Sequence, residues 1–150
     1  MFEFLEPGCL VDGELELVLS EQNPPEPERG WLPSYVFKMT VDGSAEGVGR
    51  ISLRIDTVHQ LDMYAGQMGY RVEPAQRGRH YAARSVKLLL PLARAHGMQT
   101  IWITCNPDNI ASRRSCELAG ADLVESVDIP VDDALYLRGD RQKCRYRIEL

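Results

Sequence analysis

Apolar positions recur every second residue through the first half of the chain and every 3.6 residues after residue 79. That switch of period predicts the order of elements. Leu15, Leu17 and Leu19 alternate with Glu14, Glu16 and Val18, which predicts a strand over 14–20. Val11, Leu15, Val18 and Leu19 also share one helical face, so an amphipathic helix starting at Asp12 fits the same letters. Further on, Tyr35, Phe37, Met39 and Val41 point one way. After a turn at Asp42-Gly43, Ile51, Leu53 and Ile55 alternate with Arg50, Ser52 and Arg54. This is the pattern of a hairpin with one buried face. Met68, Tyr70 and Val72 alternate with Gln67, Gly69 and Arg71 until Pro74 ends the run. The three segments are expected to form an antiparallel meander.

Past Pro74, Ala82, Val86, Leu89, Leu90 and Ala93 fall on one stripe, while Arg79, Arg84, Lys87 and Arg94 lie off it. A helix over about 79–96 follows, stopped by Gly97 and kinked at Pro91, which lacks the N–H of an intrahelical bond. The run Thr100-Ile-Trp-Ile-Thr-Cys105 reads as a strand buried on both faces. Strand, crossover helix and strand make a βαβ unit, so 66–73 and 100–105 are expected side by side and parallel. Asn106 to Asn109 form a turn, Ile110 to Ala119 a short helix closed by Gly120, and 123–129 and 143–150 two last strands. The proline-rich Asn23 to Gly30 reads as a stiff exposed connection. The fold class is mixed α/β, with a mostly antiparallel sheet and one central parallel βαβ crossover. No linker divides it, so residues 1–150 are expected to be a single domain.

A chain of 150 residues, 44% of them hydrophobic, can build a core without disulfide or metal staples. The four cysteines (Cys9, Cys105, Cys116, Cys144) form no C-x-x-C pair and do not alternate with the three histidines, so no metal is expected. Reduced thiols, the acidic start Met1-Phe-Glu-Phe-Leu-Glu and the lack of a long apolar run point to the cytoplasm rather than a membrane. Residues 1–30 carry eight acidic side chains against Arg29 alone, which leaves +2 for the rest of a chain of net charge -5. Residues 71–94 hold Arg71, Arg77, Arg79, Arg84, Lys87 and Arg94 against Glu73. A compact basic focus at a helix start suits a small polyanion better than nucleic acid, which needs an extended basic face. A merely solvated helix face is the alternative.

The decisive stretch is Gly69-Tyr-Arg-Val-Glu-Pro-Ala-Gln-Arg-Gly-Arg-His-Tyr-Ala-Ala83, followed by Asn109-Ile-Ala-Ser112 and Glu117-Leu-Ala-Gly120. It resembles the GCN5-related N-acetyltransferase (GNAT) superfamily, whose signature is Arg/Gln-x-x-Gly-x-Gly/Ala at a strand-to-helix turn. In register, Arg77 takes the first position, His80 that of the usual glycine and Ala82 the sixth. A later family motif, an Asn with a small residue three on and a Gly eleven on, is met by Asn109, Ser112 and Gly120. The resemblance covers roughly residues 34–150 and is nearest to predicted bacterial acetyltransferases. Physics alone supports the loop: a helix N-terminus leaves N–H groups unpaired and carries partial positive charge, which suits a pyrophosphate.

The resemblance implies the acyl-CoA N-acyltransferase fold, acetyl-CoA as cosubstrate and transfer of its acetyl group to an acceptor, most often an amine. It implies that Arg77, Gly78, Arg79, His80, Tyr81 and Ala82 hold the pyrophosphate, and that the backbone of Tyr70, Arg71 and Val72 pairs with the pantetheine arm between two splayed strands. Asn109 and Ser112 bind its far side, a role that coexists with helix capping. Cys116 stands where many members have the tyrosine that protonates the leaving thiolate, and is read as a buried structural thiol. Base candidates are His59, Asp62, Tyr64 and Glu73, each of which also reads as a surface loop residue. The acceptor is expected to be a small-molecule or peptide amine; its identity, and whether the chain is a homodimer, stay open. The competing reading is a non-catalytic acyl-CoA-binding or regulatory module. A Rossmann-type dinucleotide site fails because no G-x-G-x-x-G opens a helix.

Overall fold

A computed structural model describes residues 2–57 and 64–150. The first sheet grows by antiparallel neighbours in sequence order: β1 (Val11–Asp12), β2 (Leu15–Asn23), β3 (Ser34–Val41), β4 (Gly47–Arg54) and β5 (Met68–Val72). The ambiguous first segment is a strand, because Leu15 and Leu17 are buried on the core face of the sheet. It runs to Asn23, three residues past the expected end, and the proline-rich stretch then makes one 3-10 turn at Pro27–Arg29 under a Glu26–Trp31 bridge. Proline at the start of that turn supplies the φ it needs.

The alternation seen in the sequence sorts the two faces of this sheet. Tyr35, Phe37, Met39, Ile51 and Leu53 are buried against the helix α1 (Tyr81–Ala95), which contributes Val86, Leu89 and Ala93. The helix begins two residues later than expected and passes through Pro91 to Ala95. Pro91 and Lys87 are both exposed, so the carbonyl left without a partner faces water. The second sheet holds β6 (Thr100–Cys105), β7 (Asp122–Asp128) and β8 (Gln142–Glu149) in the order β6-β8-β7, all antiparallel. Two short helices, α2 (Ile110–Leu118) and α3 (Ala134–Leu137), complete the chain. Cys105 and Cys144 face each other across β6 and β8 and are buried as small apolar residues.

One expectation needs correction. Among the described residues no ladder joins 66–73 to 100–105, and β5 and β6 belong to different sheets. The two segments are hydrogen-bonded just before β5, where Gln67 N–H donates to Trp102 C=O at 2.8 Å and Trp102 N–H donates to the Gln67 side-chain oxygen. A side chain has taken the place of the next backbone partner. Gly66 makes the approach possible, since a Cβ there would strike the Trp102 carbonyl. Gln67, expected on the polar face, is buried and also reaches the buried Asp56 at 3.4 Å.

Arg84 fastens α1 to the first hairpin. Its Nε donates to Asp12 Oδ2 at 2.7 Å, and its Nη2 donates to Asp12 C=O and Glu14 Oε1, both at 2.7 Å. The guanidinium beside Glu14 holds that carboxyl down at about 2. A depressed carboxylate stabilises above its unfolded pKa, and the contribution is lost as pH falls through the folded value. Glu14→Gln is therefore expected to lower Tm at pH 7, with the gap to the native chain closing between about 4.5 and about 2. Thermal melts of both proteins across that range check it; a gap independent of pH would dismiss the ion pair as its source.

Candidate functional site

The turn between β5 and α1 is built to leave donors free. Pro74–Gln76 form a 3-10 turn, Gly78 sits at φ +97, and His80 holds the left-handed conformation at φ 61, ψ 30. That is the backbone state for which glycine is the easy choice, so His80 adopts the conformation of the residue it replaces in the motif. No side chain caps α1, and among the described residues the N–H groups of Gly78 to Ala83 have no hydrogen-bond acceptor. Donors in that arrangement, at the positive end of a fifteen-residue helix, form an anion cradle. Arg77 and Arg79 flank it, both exposed, with Arg77 Nε on Val72 C=O at 3.2 Å and Arg79 on the Gln76 side chain at 2.9 Å. Arg84 and Arg71 are not part of this focus: Arg84 is spent on Asp12 and Glu14, and Arg71 lies on the opposite face of the sheet.

Next to the cradle lies the open edge of β5. Arg54 N–H donates to Gln67 C=O and Glu73 N–H donates to Val48 C=O, which fixes the phase of the β4–β5 ladder. In that phase Gly69 and Arg71 pair with β4, while the backbone groups of Tyr70 and Val72 point away from it, toward the gap before β6. Of these groups the Val72 carbonyl already accepts from Arg77 Nε, and the rest of the edge is a template for an extended partner carrying amides.

The Tyr70 side chain crosses the gap. Its hydroxyl lies 3.2 Å from Ser112 C=O, 3.0 Å from Ser112 Oγ and 3.5 Å from Cys116 Sγ. Burial pushes this phenol well above its ordinary value. Cys105 joins the group beside Cys116, whose thiol is pushed up by that neighbour and by burial. Cys116 is buried, as the sequence predicts. Asn109 caps α2, its Oδ1 accepting from Ser112 N–H at 3.1 Å, so the capping role is real.

Of the base candidates, Glu73 is exposed at the end of β5, and the Tyr64 carbonyl accepts from Thr104 Oγ1 at 3.1 Å. His59 and Asp62 lie outside the described residues. Sequence reading missed Gln67 and the reach of the Tyr70 hydroxyl; both residues were assigned by alternation, which gives a face and not a contact.

A family model described as an acetyltransferase (GNAT) domain matches residues 13–122. The chain belongs to the GNAT acetyltransferase family. No curated protein sequence matches it. The fold of this GNAT chain is similar to that of the microcin C7 self-immunity acetyltransferase MccE, solved with acetyl-CoA and AMP (13% identity, TM-score 0.60, 78% of this chain and 61% of that one). It is also similar to the ribosomal L7/L12 α-N-protein acetyltransferase RimL, solved with coenzyme A (21%, 0.62, 82% and 64%). A third similar fold is the ribosomal-protein-S5-alanine acetyltransferase of Vibrio fischeri (17%, 0.62, 77% and 61%). The chain thus spans about three fifths of the length of these structures, and at these identities the likeness shows the fold.

Within the family pattern His80 is the costly residue, since a left-handed non-glycine costs about 1 kcal/mol. His80→Gly is expected to raise stability by about 0.5–1 kcal/mol. Denaturant melts measure it, and a destabilised variant would show that the imidazole contributes more than the strain removes.

Proposed function

We propose that residues 1–150 form one acetyl-CoA-dependent N-acetyltransferase domain. The observation that carries this reading is the cradle of unpaired N–H groups at Gly78–Ala83 lying beside the unpaired edge of β5, in a chain of this family. The cradle suits a pyrophosphate, with Arg77 and Arg79 adding charge. The edge at Tyr70 and Val72 suits the two amides of a pantetheine arm, and Ser112 at the start of α2 borders its far side. The similar structures solved with acetyl-CoA or coenzyme A support the choice of cosubstrate.

Transfer is direct. The acceptor nitrogen attacks the acetyl carbonyl carbon, the C–N bond forms, and the C–S bond breaks with its electron pair passing to sulfur. Rate enhancement comes from positioning both reactants and from a backbone N–H of β5 aimed at the carbonyl oxygen. The ammonium of the acceptor must first lose a proton. Glu73 stands at the cradle end of β5, away from the sulfur end of the arm, so the proton passes to water.

The leaving sulfur takes its proton from Tyr70, and the second proton shed by the acceptor nitrogen as the amide forms restores the phenol through water. Cys116 occupies the family's tyrosine position, and its thiol is pushed up and engaged with Cys105. The Tyr70 hydroxyl reaches that same place from β5 and lies 3.5 Å from Cys116 Sγ. The competing reading, a non-catalytic acyl-CoA-binding module, shares the cradle and lacks turnover.

Two sets of measurements test this. In calorimetry, acetyl-CoA binding is expected to weaken with added salt, and Arg77→Ala to weaken it about tenfold, the loss of one charge-assisted contact. Equal affinity of the two proteins removes the phosphate cradle. With an amine acceptor, Tyr70→Phe is expected to lower turnover by about 10²-fold or more, while Cys116→Ala keeps most of it. The reverse ranking makes Cys116 the acid, and binding without turnover by the native chain favours the non-catalytic module.

A further inference from the structure

Asp56 is a buried acid that no step above uses. It lies just past the end of β4, is 2% exposed, and its Oδ2 accepts from Gln67 Nε2 at 3.4 Å. A buried carboxylate is costly unless hydrogen bonds meet it, and this bond leads into the gap between β5 and β6. The backbone before Asp56 is fixed from two sides. Ile55 N–H donates to Pro33 C=O at 2.9 Å, and Arg54 N–H donates to Gln67 C=O at 2.7 Å. The Arg54 side chain adds a bond from Nη1 to Gly66 C=O at 3.0 Å. The end of β4 thus grips Gly66 and Gln67 before β5 starts.

Gln67 passes that grip on to β6. Its N–H and its side-chain oxygen both hold the backbone of Trp102, one as donor and the other as acceptor. An amide side chain has a donor end and an acceptor end, and the second bond needs the acceptor end toward Trp102. Turned over, the amide would set its NH2 group against the Trp102 N–H, two donors face to face where Gln67 is buried, and the junction would open. A carboxylate offers only acceptors, so Asp56 takes the NH2 end and leaves Oε1 for Trp102.

This junction stands at the opposite end of β5 from the cradle, which follows Val72. On the acetyl-CoA reading, the arm enters the gap from the cradle and its sulfur lies toward the closed end, so the place of Trp102 sets the width of the gap where the thioester rests. We infer that Asp56 is a positioning residue for the acetyl donor: by orienting the Gln67 amide it fixes the closed end of the gap and so places the end of the arm. It acts through Gln67 and not by contact with the donor. A small misplacement of a reacting group is enough to cost rate, which gives such a fixture its effect. The inference rests on the acetyl-CoA reading for its ligand, while the relay from Asp56 to Trp102 stands on the hydrogen bonds alone.

The test is calorimetry with acetyl-CoA and with ADP, which carries a pyrophosphate and no arm, at about pH 8.5 so that facing carboxylates do not share a proton. Asp56→Leu is expected to weaken acetyl-CoA about tenfold or more, the loss of one hydrogen bond to a charged group, and to leave ADP unchanged. Gln67→Met, which drops the amide, is expected to weaken acetyl-CoA to the same degree. Adding Asp56→Leu to it is expected to change nothing further, since the two residues act in series. Gln67→Glu sets two carboxylates against each other and is expected to weaken acetyl-CoA as well. Adding Asp56→Asn puts a donor opposite the new acid and is expected to restore the affinity. Equal affinity of the native chain and Asp56→Leu, additive losses with Gln67→Met, or a joint fall of acetyl-CoA and ADP overturns the inference. Where Asp56→Leu does not fold, failure of Asp56→Asn to rescue Gln67→Glu overturns it. A native chain that fails to bind acetyl-CoA overturns the cosubstrate reading instead. Hydrogen exchange at the Trp102 amide then judges the relay by itself: faster exchange in Asp56→Leu than in the native chain supports it, and equal rates overturn it.

Discussion

The contact between Gln67 and Trp102 decides what the rest of the molecule can do. A mixed sheet in which β5 and β6 paired along their whole length would have no free backbone in its middle. Here the two segments are hydrogen-bonded just before β5, where the Gln67 side chain accepts the Trp102 N–H that a backbone carbonyl would otherwise take. Beyond that residue the strands belong to separate sheets. Backbone groups left unpaired inside a protein cost free energy unless something else satisfies them. The edge of β5 at Tyr70 is half-buried and left open beside the gap, and Gly66 and Gln67 shape that gap by holding the chain against Trp102 just before β5.

The fold was largely legible because alternation and the 3.6 period report burial, and burial decides faces. Tyr35, Phe37, Met39, Ile51 and Leu53 were placed on one face by spacing, and they are the floor on which α1 rests. What spacing cannot report is which strands part company. The apolar run 100–105 looked like a strand buried on both sides, and its residues are in part buried, but its ladder partner is β8 and not β5. The cradle was legible because its residues are consecutive. The cluster of Tyr70, Ser112, Cys105 and Cys116 was not, because it gathers side chains from β5, β6 and α2 that lie up to 46 residues apart. Arg84 was misread for the same reason, since its partners Asp12 and Glu14 come from the far end of the chain.

Under the proposed reading, the cluster supplies from another element a hydroxyl that the sequence motif lacks. Position 116 lacks the hydroxyl that the family pattern leads one to seek, and the nearby phenol comes from β5 instead. The substitution is consistent with packing. Tyrosine at 116 and tyrosine at 70 would compete for one volume, and the small Cys116 leaves room for the ring that enters from the strand.

The charges obey a similar economy. Where a cation has a structural task it is saturated, as Arg84 is by two carboxylates and the Asp12 and Arg79 carbonyls. Where it borders an open cleft it is left free, as Arg50 and Arg71 are among the described residues. The saturated cation keeps the loop in shape: Arg84 Nη1 holds the Arg79 carbonyl at 3.2 Å, one residue before His80, while its other nitrogens grip the first hairpin. A left-handed histidine persists only if its neighbours leave it no alternative. The clamp on Arg79 and the first helical bond from Arg84 N–H to His80 C=O at 2.9 Å fix the backbone on both sides of it. The loop with the free donors is thus held in shape by an ion pair in the first turn of α1, which ties its conformation to the hairpin at residues 11–16.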